Sequence, residues 1–126
     1  MPTTVKDFYF SITKYFNLKQ GSLIGKQNIY IQDFAEALQE GYKSALKSLL
    51  NPKEGTIITV MRDVANIASE LSQDEKLNYQ QFLNGCYNEA ESSLQRTKTI
   101  LKILKKTNVV DAGGLGFVLI IQGILN

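Results

Sequence analysis

The chain has 126 residues, of which 44% are hydrophobic and 21% charged, a length and composition that suit one globular domain with a buried core. Fourteen Lys and Arg against twelve Asp and Glu leave a formal charge of +2. That is too little to build the basic field that nucleic acid or an anionic lipid surface selects, so neither partner is expected. The absence of histidine removes the commonest general base, the serine and cysteine hydrolase triads and the commonest zinc or iron ligand.

A single cysteine, Cys86, excludes an intrachain disulfide and suits a reducing compartment. The opening Met1 to Asp7 does not read as a signal peptide, and the expected location is the cytoplasm. The longest apolar run, Phe117 to Ile121, is far short of the roughly 20 residues that span a bilayer. No membrane span is expected, and residues 1–126 are read as one domain.

The apolar period is helical almost throughout, and only Pro2 and Pro52 interrupt it. The expected class is all-α, an antiparallel helical bundle or barrel of about six helices. The first runs from Asp7, a candidate N-cap, through Phe8, Ile12, Tyr15 and Phe16. A loop follows over Asn17 to Asn28, containing Gly21 and Gly25. The second helix spans about Ile31 to Leu50, with Phe34, Leu38, Tyr42, Ala45, Leu46, Leu49 and Leu50 on the apolar stripe. On its polar face Glu40 and Lys43 are spaced to pair.

Pro52 biases Asn51 away from the α region and ends that helix. The third helix opens near Thr56 and carries Ile57, Val60, Met61, Val64, Ala68 and Leu71 inward. Its β-branched opening also scores as a strand, but the period of three and four continues to Leu71 and no partner strand exists. The fourth spans about Asp74 to Leu94, with Leu77, Phe82, Leu83, Cys86, Tyr87, Ala90 and Leu94 inward. Cys86 reads as a small core residue, since no histidine or second cysteine is present to activate it.

A short fifth helix is expected with Thr97 as N-cap, Ile100, Leu101, Ile103 and Leu104 as its apolar content, and Asn108 as an αL cap. Asp111 is then placed to cap a last helix running to about Leu125. That helix is apolar nearly all round, which predicts enclosure on most sides.

Two glycine-bearing turns precede helices: Asn51-Pro52-Lys53-Glu54-Gly55-Thr56 and Asp111-Ala112-Gly113-Gly114-Leu115-Gly116. Glycine at a helix N-terminus lets backbone amides approach an anion, and the dipole there favours negative charge. Each turn reads either as such a site or as a plain cap, since neither matches the phosphate-binding or dinucleotide glycine patterns. Gly113 and Gly116 are alternatively spaced for close helix packing. Lys53 and Glu54 read as a solvated ion pair beside a turn, with contact to phosphate or magnesium as the alternative.

These two segments carry a family resemblance. Pro52 to Val60, followed about fifty residues later by Asn108 to Phe117, resembles the dihydroxyacetone kinase L-type domain, and most closely its branch in the bacterial fatty acid kinase A subunit. Both motifs occur in the family's order, and the resemblance covers the chain from about Phe8 onward.

It implies an incomplete version of that family's eight-helix barrel, which binds Mg-ATP at one end and transfers the γ-phosphate to dihydroxyacetone (glycerone) or to a fatty acid held by a separate binding protein. By the same resemblance Gly55 and Thr56 lie near the nucleotide, and Asp111, Ala112, Gly113 and Gly114 belong to a loop that covers it. The cofactor so implied is Mg-ATP or Mg-ADP; the residues alone imply none.

The departures from the family are as informative. Its Asp-Gly-Asp-Thr-Gly magnesium motif and its Gly-Asn-Ser-Gly phosphate loop are absent, and the five aspartates, Asp7, Asp33, Asp63, Asp74 and Asp111, are scattered. Phosphoryl transfer rests on positioning and on neutralising phosphate charge. The expectation is a truncated or split kinase-type domain without catalytic or metal-ligating residues of its own, completed by another chain or no longer catalytic. The alternative is a non-enzymatic helical interaction module. Losing the family's opening helices would uncover the apolar faces of Phe8 to Phe16 and Phe117 to Leu125. A homodimer is therefore expected, or a refolding of residues 1–30 over the gap.

Overall fold

The computed structural model describes residues 30–100 and 109–125. The expected helix over Asp7 to Phe16, the Asn17 to Asn28 loop, and the segment from Leu101 to Asn108 lie outside the described residues. Among the described residues there are four helices: α1 (Ile31–Lys47), α2 (Ile57–Leu71), α3 (Tyr79–Ile100) and α4 (Ala112–Leu125). No strand occurs among the described residues, and the β-branched opening of α2 is helical.

Local chemistry fixes the boundaries. The Tyr30 N–H donates to the Asp33 carboxylate at 3.2 Å and opens α1. Its end falls at Lys47 rather than Leu50, because the Ser48 hydroxyl and N–H both turn back to bond the Ala45 carbonyl. Leu50, expected on the stripe, is fully solvent-exposed. Asp74 likewise does not start α3. Its side chain closes a turn by accepting the Lys76 N–H at 3.0 Å. The helix begins after Asn78, whose amide oxygen accepts the Gln81 N–H at 2.8 Å while the Asn78 N–H donates to the Gln81 side chain at 3.0 Å. This is a reciprocal capping box.

At its other end α3 runs on to Ile100, so Thr97 is an interior helical residue and not the N-cap of a new helix. Its hydroxyl satisfies itself by bonding back to the Leu94 carbonyl.

The central element is α2, which packs against α1, α3 and α4. Gln32 reaches Ser72 and Gln39 reaches Ser69, so α1 runs antiparallel to α2. Leu71 lies beside Gly85 and Asp63 beside Ser93, so α3 is antiparallel to α2 as well. In contrast, Gly113 lies against Ile57 and Gly114 against Val60. Thus α4 is parallel to α2, and their N-termini share one end of the bundle.

The core between them is rich in large residues: Phe82, Phe117, Leu38, Met61, Val60 and Val64 are all fully buried. Burying each large apolar side chain contributes about 1.5–3 kcal/mol. Ala45, Ala65, Ala68 and Ala90 are also fully buried and let the helices approach. Phe34 meets Phe82 edge-on at 5.8 Å, tying α1 to α3. Cys86 is buried in this core as expected, and burial pushes its thiol up to about 12. The thiol is therefore protonated and inert at neutral pH.

The expectation that α4 is enclosed on most sides is corrected. Phe117, Val118 and Ile121 are buried, but Leu115 and Leu119 stand 42% and 56% exposed. Among the described residues the elements packed against α4 are α2 and α3, too few to enclose a helix on most sides. No helix among the described residues is long and apolar enough to cross a membrane.

Candidate functional site

The Asn51–Thr56 turn delivers the chain from α1 to α2. Gly55 has φ 84°, a left-handed conformation that glycine adopts without a Cβ penalty. Its N–H donates to the Thr59 hydroxyl at 2.8 Å, and that hydroxyl donates onward to the Glu54 carboxylate at 2.8 Å. The Thr56 hydroxyl turns away from the helix and donates to the Lys53 carbonyl at 2.6 Å. Thr56 is thus the N-cap of α2 by position, with no side-chain cap bond.

Glu54 does not form an ion pair with Lys53, as the turn suggests, but with Arg62 one helical turn beyond Thr59. The Thr59 hydrogen bond, followed by the Arg62 guanidinium, holds the Glu54 carboxyl below the usual carboxylate range. The same contact raises Arg62.

The second turn is built differently. Asp111 caps α4 as expected, its carboxylate accepting the Gly114 N–H at 2.8 Å while its carbonyl accepts the Leu115 N–H at 2.9 Å. The Asp111 N–H donates to the buried Thr97 hydroxyl at 3.2 Å. Packing favours glycine here, most strongly at Gly114. A Cβ on Gly114 would sit 3.1 Å from Leu94 and 3.2 Å from Val60, and one on Gly113 would sit 3.4 Å from Ile57. A Cβ on Gly116 meets nothing within 4 Å. The close-packing pair is therefore Gly113 and Gly114, and Gly116 takes no part in it.

The structure accordingly brings Gly55 and Thr56 to the same end of the bundle as Asp111, Ala112, Gly113 and Gly114. Two parallel helix N-termini lie side by side there, and their dipoles add in favour of an anion.

A polar seam that sequence reasoning missed runs from this end along α2 and α3. The Asp63 carboxylate accepts the Ser93 hydroxyl at 2.7 Å and is paired with Arg96 at 3.2 Å and Arg62 at 3.4 Å. Arg96 also pairs with Glu89 at 2.6 Å, which together with Asp63 raises the guanidinium. Thr59, Ser93 and Thr97 are all buried. The signal that could have located them is their occurrence on otherwise apolar helix faces at one-turn spacings.

This end of the bundle favours an anion through its two adjacent helix dipoles, while the Gly55, Asp111 and Gly114 N–H groups are already engaged by Thr59, Thr97 and Asp111. It does not fit a divalent cation. Glu54 is engaged by Thr59 and Arg62, Asp111 by its own cap, and among the described residues no group of three acidic or thiol side chains could hold a metal ion.

Comparison with known proteins decides the relationship. The family model described as the DAK2 domain matches residues 14–126. The chain belongs to the DAK2 domain family. Protein YloV of Bacillus subtilis is 40% identical over 100 residues, covering 79% of this chain and 18% of that protein. An uncharacterized protein of Staphylococcus epidermidis is 36% identical over 101 residues, covering 80% and 18%. One of Staphylococcus aureus is 35% identical over 91 residues, covering 72% and 16%. The DAK2 chain thus spans less than a fifth of the length of the curated relatives it matches. Membership accounts for the all-helical architecture and ties the chain to a family of kinase-type domains with general nucleotide-binding character.

Proposed function

We propose that this chain is the nucleotide-handling part of a DAK2-type phosphotransferase, a single helical domain that does not catalyse transfer alone. Supporting this reading is the convergence, at two parallel helix N-termini, of turns about fifty residues apart in sequence, with Gly55 at φ 84° and Gly113 against Ile57. In the reading, Gly55 and Thr56 flank the phosphates of Mg-ATP or Mg-ADP, and Asp111 to Gly114 cover the nucleotide. The bound nucleotide would supply the transferable γ-phosphoryl group. This chain's residues would orient it and offer backbone N–H groups to its charge.

The magnesium-holding carboxylates would come from a complementing polypeptide. The acceptor would be dihydroxyacetone or, as the fatty acid kinase resemblance implies, a fatty acid on a separate binding protein, in the cytoplasm. The test is thermal unfolding of the purified chain with and without Mg-ADP, with EDTA as the metal control. A ligand at a hundred times its Kd stabilises by about 2.7 kcal/mol. A metal-dependent rise in midpoint is expected; no shift at millimolar nucleotide would sink the reading.

A second reading, a helical interaction module, draws on the exposed Leu115 and Leu119 of α4. With it goes the proposal of a homodimer formed over that face. Light scattering at micromolar concentration is expected to return twice the chain mass, and a monodisperse monomer would refute the dimer.

A further inference from the structure

We propose that the buried hydroxyls of Thr59 and Thr97 are positioning residues that set how the two helix N-termini meet a nucleotide, an inference that rests on the nucleotide-handling reading above. Each is almost inaccessible to solvent, at 1% and 0% exposure, and each makes two hydrogen bonds. Thr59 accepts the Gly55 N–H and donates to Glu54. Thr97 accepts the Asp111 N–H and donates to the Leu94 carbonyl. The same device therefore occurs twice, on different helices: a backbone N–H from each turn is drawn inward onto a buried Thr oxygen.

A hydroxyl suits this task because it accepts and donates at once and brings no charge next to a phosphate. Valine keeps the shape but cannot accept, leaving the loop N–H without its buried partner. The two anchors are also joined. Glu54 holds Arg62, Arg62 meets Asp63, and Asp63 accepts the hydroxyl of Ser93, one turn before Thr97 on α3. Neither threonine is assigned contact with the ligand; each acts through the turn it holds.

The test uses the full chain with Thr59→Val and Thr97→Val, the Thr→Ser variants as rescue, and Ser93→Ala as control. The control removes a buried hydroxyl from the same seam without touching a loop N–H. Amide hydrogen exchange without nucleotide is expected to quicken about tenfold at Gly55 in Thr59→Val and at Asp111 in Thr97→Val. Serine should restore protection, and Ser93→Ala should leave both amides unchanged. By calorimetry the Mg-ADP Kd should weaken about tenfold in each valine variant and hold in the serine variants and Ser93→Ala.

Valine variants that keep wild-type protection at these amides, or lose no more affinity than Ser93→Ala, would overturn the inference. A wild-type chain that ignores Mg-ADP defeats the nucleotide reading alone, and amide exchange then decides whether the threonines position the turns. Should a valine variant fail to fold, the alanine variant at that position carries the same readouts.

Discussion

The two turns at the shared end of α2 and α4 reach similar places by different physics. The Gly55 turn is held by hydrogen bonds and charge: a left-handed glycine, a buried hydroxyl, and the Glu54–Arg62 pair at the surface. The Asp111 turn shares the buried-hydroxyl anchor, through Thr97, but adds volume in place of surface charge: an aspartate cap, then two glycines against Ile57, Val60 and Leu94, with Phe117 sunk in the core one turn later. A backbone held by exposed charge responds to pH and salt, whereas one held by packing responds to methyl groups. The difference teaches that two stretches with the same glycine-rich look can have opposite sensitivities.

The largest expected effect is on the packed side. Phe117→Ala removes a fully buried ring and should cost about 3–5 kcal/mol in urea unfolding. Exchange at the Asp111 and Gly114 amides should rise more than at Gly55. Equal loosening of both turns would show that they are not independently held.

Next is Gly114→Ala, which must displace Leu94 and Val60 and should cost about 1–3 kcal/mol. An unchanged midpoint would mean the two side chains yield freely. On the hydrogen-bonded side, Gly55→Ala forces a Cβ into φ 84° and should cost about 1–2 kcal/mol, measured in the same way.

The smallest effect separates the turns most sharply. Glu54 titrates below its ordinary value of 4.5 in the folded chain. Its contribution is therefore complete above about pH 4.5 and is lost as pH falls through that value and then through the lower folded one. With the Glu54 side chain 55% exposed, Glu54→Gln should change stability at neutral pH by no more than about 1 kcal/mol. It should also flatten the acid limb of the stability profile and reduce its salt dependence, and an acid limb identical to wild type would assign that loss to other carboxylates.

Much of this architecture was legible in the amino-acid order because its signals are local. The three-and-four spacing from Ile57 to Leu71 outweighed a β-branched opening, Asp111 stood one residue before a helix it caps, and Glu40 and Lys43 pair at 3.7 Å as their spacing requires. Boundaries failed where a side chain competes with the helix. Ser48 ended α1 early, and Asp74 made a turn while Asn78 and Gln81 built the cap. Thr97 looked like a cap because threonine favours caps, and it was instead an interior residue satisfied by its own helix. Leu50 carried an apolar signal into solvent because the helix beneath it had already ended.

What the sequence by itself determined is therefore the helical class, the inward stripes of α1, α2 and α3, the inert core thiol of Cys86, and the two glycine turns with their family resemblance. Only the tertiary structure decided that α2 and α4 run parallel, that Gly113 meets Ile57 across nearly half the chain, and that Thr59, Asp63, Ser93 and Thr97 line one polar seam. The reason is that spacing along a chain encodes which face a residue occupies. Which faces then meet depends on how helices with several apolar positions share one core, and no single segment contains that information.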